Sequence, residues 1–327
     1  SKITVEGGSD TNQRIFYTSF YHSCLFPHVS SDVDGRYRGM DKKIHMVEED
    51  RQYYTIYSLW DTFRTLHPLM TIIEQERTND FINTLLLKYD KTGRLPKWEL
   101  ASNETWGMIG YHAVSVIADA WMKGIRSYDE KKALKAMVDT AMQNYSETAS
   151  YRKYGYVPMD KAGRSASRTV EFAYNDWCIA QMAKELEEQD VYETFTHRSQ
   201  FYRNLHDPET GFLRGKSSDG TWASNFKPDR LTGVFVEGNS WHYTFFAPHD
   251  VGGLMDLMGG EEKFIEKLDA LFKAEGREHM DVSGLIGQYA HGNEPCHNYA
   301  YLYTYAGEHW KTQEKVAQVM RKLYTDK

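Results

Sequence analysis

Cysteine is scarce in this chain: Cys24, Cys178 and Cys296 lie far apart and form no CxxC or zinc-ribbon spacing. An odd, scattered set argues against a disulfide framework and leaves the redox compartment open. Apolar runs of membrane-spanning length are missing, and no basic-then-apolar leader opens the chain. Its first residue is Ser1, not Met, which is compatible with an upstream piece. Positive charge is not in excess. Lys and Arg total 39 against 46 Asp and Glu, a net −7 with no long run of either sign. Nucleic-acid binders need a basic stripe, which argues against nucleic acid as the main partner, and none is expected. GxSxG, GxxxxGK(S/T) and GxGxxG are absent too, and no cysteine has the His/Asn context of a thiol nucleophile.

What is abundant is aromatic surface: 8 Trp, 23 Tyr and 15 Phe in 327 residues. Trp and Tyr pair a flat apolar face with a polar edge, which suits the faces of sugars, although most such rings go to the core. Helical periodicity dominates the chain, and alternating strand patterns are few. Residues 10–25 place Phe16, Phe20 and Cys24 four apart behind Ser9 and Asp10 as caps. Residues 67–89 and the uniformly apolar 108–125 predict two more helices, the second buried. Further helices are expected near 130–142, 169–188, 191–205, 261–273, 296–306 and 311–323. No linker divides the chain, so one domain over 1–327 is expected. The spacing of the helix pairs is that of stacked helical hairpins in an array or toroid.

The long loops carry Trp, Asp, Glu and His, and such loops are more often functional than incidental. "AHGNEPCHNYAYLY" (290–303) places Asn293 and Glu294 before Pro295, at the mouth of an expected aromatic helix. Capping is the ordinary use of such residues. The alternative is an oxygen-ligated cation, for which calcium takes carboxylates, amide carbonyls and water. Zinc on His291, Glu294 and His297 is disfavoured, because Pro295 takes His291 off the helix face. "SSDVDGRYRGMD" (30–41) only half-matches a calcium loop: Ser30 stands for the first acid and Asp41 for the terminal Glu. A polar turn fits it better. "VFVEGNSWHYTFFAPHD" (234–250) sets Glu237 among apolar and aromatic residues, where burial would raise a carboxyl pKa toward that of a general acid. The competing reading is a surface Glu in a Gly-Asn turn. Asp61 in "SLWDTFR" and Glu104 in "ASNETW" each sit beside tryptophan.

Several long stretches, "SLWDTFRTLHPL", "LPKWELASNETWGMIGYHAVSVIADAW", "AYNDWCIAQMA", "VEGNSWHYTFFAPHDV" and "GLIGQYAHGNEPCHNYAYLY", strongly resemble the catalytic domain of glycoside hydrolase family 92. The resemblance implies a mostly α fold, an (α/α)6 toroid of helical hairpins expected to be incomplete at the C-terminus. It implies calcium-dependent hydrolysis of terminal α-linked mannose, with inversion, on α-mannosides or mannose-containing glycans. Glu237 then matches the general acid, and Asn293 and Glu294 match the calcium neighbourhood. Trp60, Asp61, Trp98, Glu104 and His291 match the lining of the mannose pocket. The family's N-terminal β-sandwich and the C-terminal motif with its general base lie outside this chain, so the chain alone is expected to be inactive. Export to the periplasm, cell surface or medium is implied by the same likeness. Two other readings stay open: another toroid glycosidase acting on glucosides without calcium, and a non-catalytic mannose- or calcium-binding fragment.

Overall fold

A computed structural model describes residues 2–275 and 283–326. Two compact units emerge: Ser1–Gln143 with Asn175–Thr196 and Asp326–Lys327, and Asn144–Tyr174 with His197–Thr325. The expected mostly α class is what the chain adopts. The helices are α1 (Asp10–Ser23), α2 (Leu59–Thr62), α3 (Leu66–Ile73), α4 (Gln75–Thr92), α5 (Ala113–Met122), α6 (Glu130–Ala141) and α7 (Ser146–Tyr154). There follow α8 (Ser165–Glu185), α9 (Gln189–Ser199), α10 (Ser240–Thr244), α11 (Val251–Met258), α12 (Glu261–Leu271) and α13 (His309–Leu323). Strands among the described residues are two or three residues long and pair only as two-stranded antiparallel ribbons.

In the first unit α4 packs on α3, α5 and α6. Its sequence dictates this. Thr78, Phe81, Ile82, Leu85 and Lys88 fall on one face and are buried, and Gly93, at φ 70°, ends the helix in the left-handed conformation that glycine adopts freely. α5 is buried on nearly every side, as its uniformly apolar sequence predicts. The 67–89 stretch is not one helix: Glu74, at φ −141° and ψ 60°, leaves helical geometry and separates α3 from α4. The 108–125 helix starts only at Ala113, because Met108 and Gly110 take positive φ and Tyr111 N–H donates to Asn175 Oδ1 at 2.8 Å. The 30–41 stretch is a polar turn and ribbon: Asp34 pairs with Arg36, and Asp41 with His45.

In the second unit α11 packs on α12, and α13 packs on a 3-10 segment, Tyr299–Thr304. An α-helix was expected over 296–306. Two 3-10 segments, Glu294–Cys296 and Tyr299–Thr304, stand there instead, with Pro295 in the first. Proline has no N–H to donate, and short 3-10 turns tolerate that loss.

Burial should set the cost of truncation. Leu85→Ala, at a fully buried position, is expected to destabilise the first unit by about 2–5 kcal/mol, and Ile72→Ala, at 73% exposure, by less than about 0.5 kcal/mol. Urea denaturation of both variants checks the contrast.

Candidate functional site

Each unit holds part of the predicted residue set. In the second unit the "HGNEP" turn follows a tight ribbon of Leu285–Ile286 with Tyr289–Ala290. Glycines at both ends of this stretch are spatially required. Gly284 sits at φ 71°, and a Cβ on Gly292 would stand 2.6 Å from the Ser283 carbonyl oxygen. His291 is held by two phenols, Nδ1 with Tyr289 Oη and Nε2 with Tyr324 Oη, each at 2.8 Å. His297 Nε2 bonds the His291 carbonyl at 2.9 Å. Both ring nitrogens of His291 are thus committed to tyrosines.

Asn293 lies at the N-terminal end of the first 3-10 segment, yet its side chain makes no capping hydrogen bond. Instead Nδ2 donates to the Glu237 carbonyl at 2.8 Å. Its Oδ1 is buried without a hydrogen-bond partner among the described residues. A buried amide oxygen without a donor is costly, and a cation would relieve that cost. Glu294, half-buried in the same turn, adds a carboxylate. One amide oxygen, one carboxylate and water are a donor set that suits calcium. No group of three or more His, Cys, Asp or Glu among the described residues is placed to hold a metal. The turn therefore fits a hard cation that draws part of its shell from water or sugar hydroxyls, not a closed all-protein cage.

Glu237 is fixed through its backbone. It adopts φ 46°, unusual for a residue with a Cβ. On one side Val236 N–H donates to Ser167 Oγ at 3.0 Å, and Tyr243 Oη donates to the Val236 carbonyl at 2.9 Å. On the other, Gly238 leaves no room for a side chain, since a Cβ there would meet His242 Nδ1 at 2.8 Å and Asn293 Nδ2 at 3.1 Å. The buried aromatic setting read from sequence does not hold for its carboxylate: Glu237 is exposed while Phe235 and Val236 are buried. Trp241 packs edge-on against Phe212, and burial holds His242 neutral, with its pKa pushed down to about 4.

In the first unit Glu104 is the centre of a loop, not a free wall residue. Its Oε2 accepts from Lys97 N–H at 2.8 Å and Arg94 Nη1 at 3.1 Å, and its Oε1 from Trp98 N–H at 3.0 Å and Trp106 N–H at 3.1 Å. Burial pushes its pKa up, but these backbone donors and Arg94 outweigh it and hold the carboxyl below the ordinary glutamate range. Trp98 is half-buried and lies against Gly107. Trp60 is 1% exposed and belongs to the core, so it supports the site without offering a face to a sugar. Asp61, one residue on, is half-buried and accepts from Ser58 Oγ.

Sequence reasoning missed Lys88 and Glu99. Both side chains are fully buried, with Lys88 Nζ 3.1 Å from Glu99 Oε1. The signal was present: Lys88 continues the buried face of α4 marked by Phe81 and Leu85, where a lysine needs a partner.

Glu104 carries a pH signature. Its folded pKa lies below its unfolded value, so its contribution is fully present above about 4.5 and is lost as pH falls through the depressed value. Glu104→Gln turns amide hydrogens toward donors and should destabilise by about 1–3 kcal/mol at neutral pH. The gap to wild type should narrow near pH 3; urea titrations at both pH values check this.

The comparisons with known proteins agree among themselves. The model of the glycosyl hydrolase family 92 catalytic domain matches residues 1–327. A family GH92 alpha-mannosidase from Bacteroides thetaiotaomicron, solved with mannoimidazole, is 42% identical with a TM-score of 0.95, over 99% of this chain and 44% of its own. A family GH92 inverting mannosidase from the same organism is 36% identical with a TM-score of 0.90, over 99% of this chain and 47% of its own. An uncharacterized secreted glycosidase of Arthroderma benhamiae is 27% identical over 342 residues, 92% of this chain and 38% of the relative. The chain thus spans less than half the length of these relatives. These likenesses carry the mostly α, toroid class expected from the sequence.

Proposed function

Since the chain belongs to glycosyl hydrolase family 92, we propose that the protein containing it hydrolyses terminal α-linked mannose from mannosides or mannose-bearing glycans, with inversion and with calcium. The mannose class is supported by the likeness to an α-mannosidase at 42% identity, and inversion by the likeness to an inverting mannosidase at 36%. The observation that carries the site assignment is the Asn293 amide. One face of it holds the Glu237 backbone, and the other is an unpartnered buried oxygen.

Glu237 is the general acid. As the bond between the anomeric carbon and the leaving oxygen breaks, its proton passes to that oxygen, and a water adds from the opposite face of the ring while giving up one proton to a general base. The carboxylate is exposed, so it is open to a leaving oxygen. Asn293 and Glu294 hold the calcium ion, which when bound supplies a hard centre for sugar hydroxyls. His291, clamped between Tyr289 and Tyr324, fixes the side of that turn. In the first unit Trp98 and Asp61 bind sugar, while Trp60 and Glu104 hold the segments that carry them. The general base is assigned to no residue described here. Export is part of the same reading: a relative is called a secreted glycosidase, and no helix among the described residues is long and apolar enough to cross a membrane.

Mannose release from α-linked mannobioses by the full-length protein, with calcium and after chelation, tests this directly. Calcium-dependent release is expected; release from no linkage by folded protein would overturn the mannosidase reading. Glu237→Ala should lower kcat by about 10²–10⁴-fold and leave binding in place. Activated aryl mannosides, which need little protonation, should lose far less. Equal losses on both substrate types would remove Glu237 from the acid role.

A further inference from the structure

The loop 97–108 and the segment 56–61 of the first unit are built on backbone that side chains disfavour. Ile56, Ala101, Ser102, Trp106 and Met108 all adopt positive φ, and for a β-branched residue such as Ile56 that is a true outlier. Strain of this kind persists only where surrounding contacts over-determine it, and it clusters at working sites. At Ile56, Ala101 and Ser102 those contacts come from one buried carboxylate and the threonine bonded to it, while Trp106 N–H is held by Glu104. Glu99 Oε2 accepts from Ile56 N–H at 3.1 Å, and Oε1 accepts from Ser102 N–H at 2.6 Å and Thr55 Oγ1 at 2.9 Å. Thr55 Oγ1 in turn accepts from Ala101 N–H at 2.8 Å. Glu99 and Tyr57 also exchange backbone bonds at 2.9 and 3.2 Å, joining the segment that leads into Trp60 and Asp61 to the ribbon that ends at Glu104.

The charge that makes this carboxylate affordable comes from α4. Lys88 Nζ lies 3.1 Å from Glu99 Oε1, donates to Tyr53 Oη at 3.1 Å, and stands 4.4 Å from the centre of the Tyr53 ring. A buried pair of this kind is weak evidence for stability, since well-packed apolar residues often serve as well. Its value has to lie in what it orients.

We propose that Lys88 and Glu99 are positioning residues: the pair sets Trp98 and Glu104 on one segment and Asp61 on the other at the spacing sugar binding needs. This rests on the assignment of Trp98 and Asp61 to sugar contacts. Lys88 and Glu99 touch no substrate; they act through the backbone of Ile56, Ala101 and Ser102.

The test uses full-length protein. Lys88→Met and Glu99→Gln alone each leave a buried charge unpaired and risk unfolding, so the double variant Lys88→Met/Glu99→Gln is the informative one. Circular dichroism and Tm establish that it folds. The double variant should show KM for α-linked mannobiose raised roughly tenfold or more, with kcat changed less than about threefold. Amide exchange over 97–106 should quicken by about tenfold, while exchange in α5 stays at the wild-type rate. A folded double variant with wild-type KM, or with wild-type exchange over 97–106, overturns the proposal, as does an equal loss in kcat and KM that tracks Tm. If wild-type protein cleaves no mannoside, the reading of the reaction fails separately. The exchange measurement then decides the positioning role alone, faster exchange supporting it and unchanged exchange refuting it.

Discussion

Backbone that leaves a helix still has to satisfy its N–H and C=O groups, and every site segment in this chain answers that demand with a buried polar side chain. Glu99 and Glu104 do so in the first unit, Asn239 and Asn293 in the second. Asn239 accepts from His242 N–H at the start of α10 and donates to the Asp229 carbonyl at 3.2 Å. Asn293 donates to the Glu237 carbonyl. A sheet would provide those partners through its ladder, but the ribbons here are too short to do so. The helices supply hydrophobic burial, and the carboxylates and amides supply shape.

That division explains what was legible in the sequence. The helices α6, α12 and α13 lie close to where periodicity places them, while α4 and α5 keep their expected buried faces with shifted ends. Glu74 and the 3-10 turns around Pro295 were not readable, because hydrophobic spacing does not register a local change of ψ or a tighter turn. The buried role of Lys88 was hidden by its residue type. Periodicity placed it inward, but its partner Glu99 lies in a ribbon with no periodic signature.

The candidate site was legible as residues and not as roles. Glu237 and Asn293 were both singled out from local pattern, yet the bond between them spans 56 positions and no motif announces it. Glu104 reads as an acid beside tryptophans, which suggests ligand contact. In three dimensions its oxygens are spent on the loop's own amides. Trp60 shows the same displacement, from a sugar platform to core at 1% exposure. In each case the sequence marks the neighbourhood, and the hydrogen-bond inventory decides whether a side chain faces a ligand or holds one that does.

The left-handed residues of the first unit bear on how such a protein could be made hardier. Glycine at Ile56, Ala101 or Ser102 would adopt the required φ without steric penalty, so a search for heat tolerance would be drawn to these positions. Each replacement would also widen the range of conformations open to the segment. Heat tolerance and local order of these segments would then be selected in opposite directions at the same few residues, a trade-off often met at strained positions.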